Sequence, residues 1–323
     1  MPLSLETIPY DSPAIRPGAA RTAIVPLCPL CGSRENKEAF EDNGCELRVC
    51  GYCGLFFIHP YPLSTKRHSE VTAGAIDGID LLDCERRYDG ERLYYERHFR
   101  LIEKECRDAH SFLDVGCGTG RLLELLSTRT EMKRMGIELN AQAAQFARRV
   151  ANCEILEIPF EEFHGSDCFD VISMINVFSH IPSLDGLFAA LRATLAPEGK
   201  VILRTSEMST GVSRWNQLHW GIPDDLHFLG LNTIAFLCRK YGFELRRHVR
   251  IPYEDELFLK SRWQQMGRRH LVNFAKQTAI RLPGALTTMK SLYRAGLGNR
   301  LFVSFIVLSP ISISKADAAT GRA

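Results

Sequence analysis

Residues 112–120, FLDVGCGTG, constrain the fold of this chain more strongly than any other stretch. An apolar strand pattern runs into Gly116, Gly118 and Gly120, and the letters RLLELL that follow have helical spacing. Glycine allows a sharp turn and a close approach to a ligand at the carboxyl end of a strand, where open α/β sheets bind their ligands. A dinucleotide fingerprint would have glycine at position 121. Arg121 stands there, which weakens the interpretation as an NAD site.

The sequence after this turn alternates between strand and helix patterns. RMGIELN gives a second strand with Glu138 at its carboxyl end, where a carboxylate can accept both hydroxyls of a ribose. FDVISMINVFSHIP, at 169–182, gives a further strand, a helix pattern covers 184–195, and VILRTS begins a strand at 201. TIAFLCRKYGF is an amphipathic helix pattern that closes at Gly242. The alternation predicts an α/β domain with a parallel sheet.

In this order, DVGCGTG, GIEL, FDVISMINVFSHI and LAPEGKVILRT resemble the successive motifs of class I S-adenosylmethionine-dependent methyltransferases, over about residues 90–253. The resemblance implies a methyltransferase whose cofactor is S-adenosylmethionine. It also implies a Rossmann-like, seven-stranded mixed sheet in the order 3-2-1-4-5-7-6. RLFVSFIVLSP, at 300–310, would be the last strand, inserted antiparallel beside FELRRHVRIPY.

The resemblance also assigns cofactor contacts to positions of this sequence. The glycine turn would cradle the methionine and ribose, Asp114 would orient that turn or the methionine ammonium, and Glu138 would bind the ribose hydroxyls. Asn176 would line the methionine end, while residues after Glu138 and around 157 would border the adenine, in a loop that lacks the family's usual aspartate. The implied set is Asp114, Gly116, Gly118, Gly120, Glu138, Leu139, Glu157, Ile158 and Asn176.

Four of the eleven cysteines form two pairs, CPLCG and CGYCG, separated by eighteen residues. This is the spacing of a structural zinc site with four thiolates, here Cys28, Cys31, Cys50 and Cys53. Zinc binding contributes roughly 10–16 kcal/mol of folding free energy in such short segments, which otherwise lack a sufficient core. The alternative is four unpaired buried or redox-active thiols, and Cys45 is a spare that could compete as a ligand.

The cysteine-containing front segment, followed by GLFFIHPYP, resembles the ribbon that precedes the methyltransferase domain in some bacterial enzymes of sugar, polysaccharide and other small-molecule pathways. Residues 26–62 carry three basic and five acidic side chains, which disfavours RNA docking, and the whole chain has a net charge of only +2. We therefore expect a small-molecule acceptor: a sugar, a lipid-linked saccharide or a natural product. The alternatives are an RNA methyltransferase that docks through the ribbon, and a non-catalytic cofactor-binding interaction protein.

Methyl transfer from a sulfonium needs a positioned acceptor and, where the acceptor is an oxygen or a poorly acidic carbon, a group that takes its proton. The sequence leaves open whether the acceptor atom is oxygen, nitrogen or carbon. His180 follows the fourth strand of the domain, and His227 lies after the fifth strand, in a segment that also contains Asp225. These two histidines are the candidate catalytic residues. For His180 the alternative is a helix-starting or packing role, and for His227 the alternative is likewise a structural role.

The predicted domains are the ribbon at 26–65, a helical linker at 66–110, the core at 111–253, and a last core strand at 300–312. The insert 254–299 has eight basic and three acidic residues, and its sequence pattern predicts helices. It is either a lid or docking surface, for an anionic acceptor or a membrane surface, or a solvated decoration or dimer contact. Tails cover 1–25 and 313–323. The first 25 residues lack a signal-peptide pattern, so we expect a cytoplasmic protein.

Overall fold

The computed structural model describes residues 26–42, 45–61, 81–90, 92–165, 168–208, 222, 225–230, 232–252 and 302–311. The strands are β1 Asn36–Asp42, β2 Cys45–Cys50, β3 Phe56–His59, β4 Ser111–Val115, β5 Lys133–Ile137, β6 Glu154–Leu156, β7 Phe169–Ile175, β8 Leu195–Glu207, β9 His227–Phe228, β10 Phe243–Pro252 and β11 Phe302–Pro310. The α-helices are α1 Leu81–Gly90, α2 Arg92–Glu105, α3 Arg121–Leu125, α4 Ala141–Ala151, α5 Leu184–Thr194 and α6 Thr233–Tyr241.

The larger sheet has seven strands in the order β10-β11-β8-β7-β4-β5-β6. Strands β4 to β8 run parallel, and β11 pairs antiparallel with both β8 and β10. Numbered within the domain, this is the predicted order 3-2-1-4-5-7-6, so the predicted fold class is confirmed. The carboxyl ends of the parallel strands lie at one edge, where the glycine turn, Glu138 and Asn176 follow their strands.

Helices cover both faces of this sheet. Residues of α2, α3 and α4 pack on one face, and residues of α5 and α6 pack on the other. Local signals set the helix ends: the Asn140 side chain accepts from the Ala143 N–H at 2.8 Å at the start of α4. Gly242 ends α6 with a φ of 68°, as its sequence pattern predicts. Strand β8 begins at Leu195 instead of 201, because its first residue already pairs with Phe169 of β7.

The smaller sheet has four strands in the order β1-β2-β3-β9. Three of them form the ribbon, and β9 comes from the segment after the fifth strand of the core. Phe56 and Phe57 pair antiparallel with Phe228 and His227. The cysteine spacing did not predict this pairing, which makes one sheet from residues far apart in the chain.

Further contacts fix the ribbon to the face covered by α6. Thr233 Oγ1 donates to the Cys53 carbonyl at 3.2 Å, and Lys240 Nζ donates to the Leu30 carbonyl at 2.7 Å. A Cβ at Gly230 would lie 2.0 Å from the Gly54 carbonyl oxygen, so this close approach requires glycine. The ribbon therefore shares a core with the larger domain.

Several predicted segments lie outside the described residues: the two tails, residues 66–80 of the linker and the basic insert 254–299. None of the described helices is long and apolar enough to cross a bilayer.

Candidate functional site

The glycine turn after β4 has the backbone conformation that its sequence predicts. Its three glycines have φ values of 67°, 54° and 78°, in the left-handed region that favours glycine. The N–H groups of Gly116 and Cys117 both donate to the Ile137 carbonyl, at 2.7 and 3.0 Å, which ties the turn to β5. A Cβ at Gly116 would lie 2.2 Å from Val177 Cγ2, so the turn also packs closely against the loop after β7.

Glu138 lies directly beside this turn. Its Oε2 accepts from the Gly118 N–H at 2.8 Å, and its Oε1 accepts from the Asn140 N–H at 2.9 Å. Burial raises the pKa of Glu138, while these backbone donors lower it. A carboxylate oxygen has two lone-pair sites, so each oxygen keeps the capacity to accept one further hydrogen bond. The side chain can thus hold the turn and accept a pair of hydroxyls at the same time.

The three residues predicted beside an adenine lie at the ends of β5 and β6. The Glu138 N–H donates to the Leu156 carbonyl at 3.0 Å, which brings these two ends together. Leu139 is 43% exposed, which is unusual for a large apolar side chain among the described residues. Glu157 is exposed and forms an ion pair with Arg148 at 2.7 Å, whereas Ile158 is half-buried against the core.

Asp114 lies beneath the turn and is only 3% exposed. The Ser173 hydroxyl donates to its Oδ1 at 2.5 Å. Burial raises the pKa of Asp114 to about 7, the Ser173 hydrogen bond lowers it, and the nearby Glu138 charge raises it. The carboxyl group faces β7 inside the protein, so its direct contribution is to fix the strand end that carries the turn.

This pKa gives a prediction for Asp114→Asn. Because the folded pKa lies above that of the unfolded chain, the folded protein holds the extra proton, and its free energy of unfolding falls as pH rises toward 7. The variant lacks this dependence. We expect its stability relative to wild type to increase by about 3 kcal/mol between pH 5 and pH 8. Urea unfolding across this range measures the difference, and a pH-independent difference would contradict it.

Asn176 follows β7 and precedes Val177, whose side chain packs against the glycine turn. It is an exposed non-glycine residue with a φ of 60°, and its N–H donates to the Arg204 carbonyl at 2.9 Å. Arg204 is 3% exposed, and its Nη1 donates to Asn176 Oδ1. A buried guanidinium therefore holds the Asn176 side chain at the carboxyl edge of the sheet.

The two histidines lie in different environments. His180 ends a short 3₁₀ helix after β7; its side chain is 40% exposed, and its Nε2 is 3.7 Å from Asp225 Oδ1. His227 belongs to β9 and is fully buried. Its ring contacts the Phe178 ring edge-to-face, with the two ring centroids 4.8 Å apart. The Leu226 N–H donates to the Ser179 carbonyl at 2.8 Å, which joins the two segments. Both histidines thus lie around the same 3₁₀ helix.

The four paired cysteines converge into one cluster. Their Sγ atoms all lie within 4.8 Å of one another, with Cys28 and Cys53 at 3.6 Å and Cys31 and Cys50 at 3.5 Å. The hydrogen bond from Cys53 lowers the pKa of Cys28 to about 6. Cys45 starts β2 while Cys50 ends it, so the spare cysteine lies at the opposite end of the strand. The cluster contains the donor set that a tetrahedral metal ion requires.

A family model described as a methyltransferase domain matches residues 86–248, just over half of the chain. The chain belongs to this methyltransferase family. The predicted enzyme class, an S-adenosylmethionine-dependent methyltransferase, agrees with the family and with the confirmed strand order.

Proteins similar to this methyltransferase have names that specify methyl transfer to different atoms. The ubiquinone biosynthesis O-methyltransferase of Nitrosococcus oceani is 31% identical over 176 residues, which are 50% of this chain and 72% of that protein. The 24-methylenesterol C-methyltransferase 2 of Arabidopsis thaliana is 25% identical, over 49% of this chain and 47% of that protein. A solved phosphoethanolamine N-methyltransferase 2 of Haemonchus contortus shares the fold, with a TM-score of 0.55 at 16% identity, over 78% of this chain and 61% of that one.

Proposed function

We propose that this methyltransferase transfers the methyl group of S-adenosylmethionine to an oxygen of a small molecule: a sugar, a lipid-linked saccharide or a natural product. The observation that carries the proposal is the joint geometry of the glycine turn and Glu138, whose oxygens both keep hydrogen-bonding capacity. We favour transfer to oxygen because the match to the ubiquinone biosynthesis O-methyltransferase covers 72% of the length of that enzyme.

In this proposal the cofactor lies along the carboxyl edge of β4 and β5. The turn cradles its methionine and ribose, Glu138 accepts the ribose hydroxyls, and Asn176 lines the methionine end. Asp114 acts from beneath by fixing the turn, since its carboxyl group is bonded to Ser173. The exposed Leu139 offers an apolar surface to the adenine, which Glu157 and Ile158 border.

When bound, S-adenosylmethionine supplies a methyl group on a sulfonium, and transfer to a hydroxyl releases the proton of that hydroxyl. One of the two histidines, His180 or His227, takes this proton. Asp225 lies beside His180 at the exposed side, whereas the His227 side chain is fully buried.

The cysteine cluster binds one structural zinc ion in this proposal. A tetrahedral site with Zn–S bonds of about 2.3 Å has sulfur atoms about 3.8 Å apart. The Sγ separations of Cys31 from Cys50 and of Cys28 from Cys53, 3.5 and 3.6 Å, are close to that value. Four thiolates leave no open coordination position, so the metal holds the ribbon and takes no part in methyl transfer. All eleven cysteines are among the described residues and none is in a disulfide, which suits the reducing cytoplasm.

The test is methyl transfer from labelled S-adenosylmethionine to the small molecules of a cell extract. We expect label in the small-molecule fraction, with the product identified by mass spectrometry. Asparagine replacing the histidine that acts as base should lower turnover by about 10²–10⁴-fold, because a positioned base contributes that much. Calorimetry should show unchanged cofactor affinity for the same variant.

Three results would contradict parts of this proposal. Label in RNA, with salt-dependent binding of RNA, would replace the small-molecule acceptor by the RNA alternative. If the protein binds S-adenosylmethionine but consumes none of it in the presence of any cell extract, the non-catalytic alternative would be favoured. Equal turnover of His180→Asn, His227→Asn and wild type would remove both histidines from the reaction.

A further inference from the structure

The loop that follows β7, residues 176–182, is tied to the ribbon through the segment that contains β9. We call it the β7 loop. Its Ser179 carbonyl accepts from the Leu226 N–H at 2.8 Å, and the Leu226 carbonyl accepts from the Ile58 N–H of β3 at 2.9 Å. The Ser179 hydroxyl also donates to Asp225 Oδ1, so this residue is bound through both its main chain and its side chain. The ribbon therefore holds the middle of the β7 loop.

Tyr61 is a second, direct tie between the ribbon and this loop. It follows β3 by two residues, and its hydroxyl lies 3.2 Å from the Pro182 carbonyl oxygen and 2.9 Å from His227 Nδ1. The His227 ring in turn meets the buried Phe178 ring of the loop edge-on, at 81°. Through one hydroxyl group the ribbon thus reaches the end of the β7 loop and a residue that packs against its beginning.

The beginning of the β7 loop packs against the glycine turn. Val177 lies so close to Gly116 that a Cβ at that glycine would be 2.2 Å from Val177 Cγ2. The His180 N–H donates to the Val177 carbonyl at 2.9 Å, which links this end of the loop to the part that the ribbon holds. The contacts therefore run without interruption from the ribbon to the glycine turn, and contiguous contacts of this kind can couple two sites.

We propose that Tyr61 is a positioning residue through which the ribbon holds the β7 loop against the glycine turn, and so sets the affinity for the methionine part of S-adenosylmethionine. This inference rests on the proposed cofactor arrangement, in which Asn176 and the turn surround that part. A loop that is already ordered loses less conformational entropy when the cofactor binds. The ribose and adenine lie instead at the end of β5, where Glu138 is held by Gly118 and Asn140.

The test compares the binding of two ligands to the full-length protein by calorimetry. S-adenosylhomocysteine contains the amino-acid part of the cofactor, whereas methylthioadenosine keeps the ribose and adenine and lacks that part. Tyr61→Phe removes the hydroxyl and leaves the ring. We expect it to raise the Kd for S-adenosylhomocysteine about threefold to tenfold, which corresponds to one hydrogen bond of ordinary strength. The Kd for methylthioadenosine should stay within about 1.5-fold of the wild-type value, which also shows that the variant is folded.

Ser179→Ala tests the other tie between the ribbon and the loop. It removes the hydroxyl that donates to Asp225 and leaves the backbone bond to Leu226, and we expect the same selective loss of affinity for S-adenosylhomocysteine. Alanine fits a position that is only 4% exposed, so this variant decides the question if Tyr61→Phe is unstable. Hydrogen exchange without ligand gives a second readout: peptides covering 177–182 should exchange faster in both variants, while those of β4 should not change.

Tyr52→Phe is the matched control, because it makes the same substitution in the same ribbon. Tyr52 is 68% exposed, and its ring packs edge-on against Phe236 of α6, with the ring centroids 5.7 Å apart. This variant should bind both ligands like wild type, and hydrogen exchange at 177–182 should be unchanged.

Unchanged affinity of Tyr61→Phe for S-adenosylhomocysteine would overturn the inference, and so would an equal weakening of both ligands, which would indicate general damage to the site. None of these measurements needs an acceptor. A selective loss of S-adenosylhomocysteine binding in a protein that transfers no methyl group would therefore overturn the proposed reaction alone and leave the role of Tyr61 standing. Wild-type protein that binds neither ligand would overturn both.

Discussion

Cys50→Ser should leave the purified protein with nearly no zinc, whereas wild type should hold about one ion per chain. Each of the four Sγ atoms in the cluster lies within 4.8 Å of the others, so removing one thiolate opens the tetrahedron. Metal binding supplies roughly 10–16 kcal/mol in such segments, which makes this the largest effect that we predict. Metal analysis and thermal unfolding measure it.

Cys168→Ser is the matched control, because Cys168 is an exposed thiol outside the cluster. It should retain the metal and the unfolding temperature of wild type. Metal-free wild-type protein, purified without chelator and with four freely titrating thiols, would contradict the zinc proposal. Full zinc content in Cys50→Ser would do so as well.

Loss of the metal should also affect residues beyond the ribbon. Because β3 pairs with β9, the amides of 56–59 and 225–230 should exchange faster in Cys50→Ser, whereas those of β4 and β7 should stay protected. Hydrogen exchange by mass spectrometry resolves these segments. Unchanged exchange at 225–230 would mean that the β3–β9 pairing does not depend on the metal.

The sequence predicted those parts of the fold that depend on local patterns. The glycine turn, the strand that ends before Glu138 and the helix that closes at Gly242 each have a signal within a few residues. The cysteine spacing likewise placed four thiols in one cluster, because each pair needs only a tight turn. The strand order came from resemblance, since no local pattern states which strands are neighbours.

The contact between Tyr61 and His227 could not be predicted in this way. It joins residues 166 positions apart, and it depends on the pairing of Phe57 with His227. A two-residue strand such as β9 has no detectable alternation, so the sequence marked His227 only by its residue type. Tyr61 carried no signal, because a tyrosine after an apolar strand is equally suited to packing.

The cofactor site allows a second test with a large effect, Glu138→Ala. Hydrogen bonds to a charged group contribute about 1.5–3 kcal/mol each, so losing two ribose contacts should raise the Kd for S-adenosylhomocysteine at least about 100-fold. Calorimetry measures this change. Glu198→Ala is the matched control, since Glu198 is an exposed carboxylate near the beginning of β8, at the opposite edge of the sheet. It should bind like wild type.

Glu138 also accepts from Gly118 and Asn140, so a weaker affinity alone would not distinguish ribose contact from support of the turn. An S-adenosylhomocysteine analogue without the two ribose hydroxyls separates these roles. If Glu138 binds the hydroxyls, the analogue should bind wild type much more weakly than the parent compound, while Glu138→Ala should bind both about equally. If Glu138 only supports the turn, the variant should weaken both ligands by the same factor, and the proposed ribose contact would be wrong.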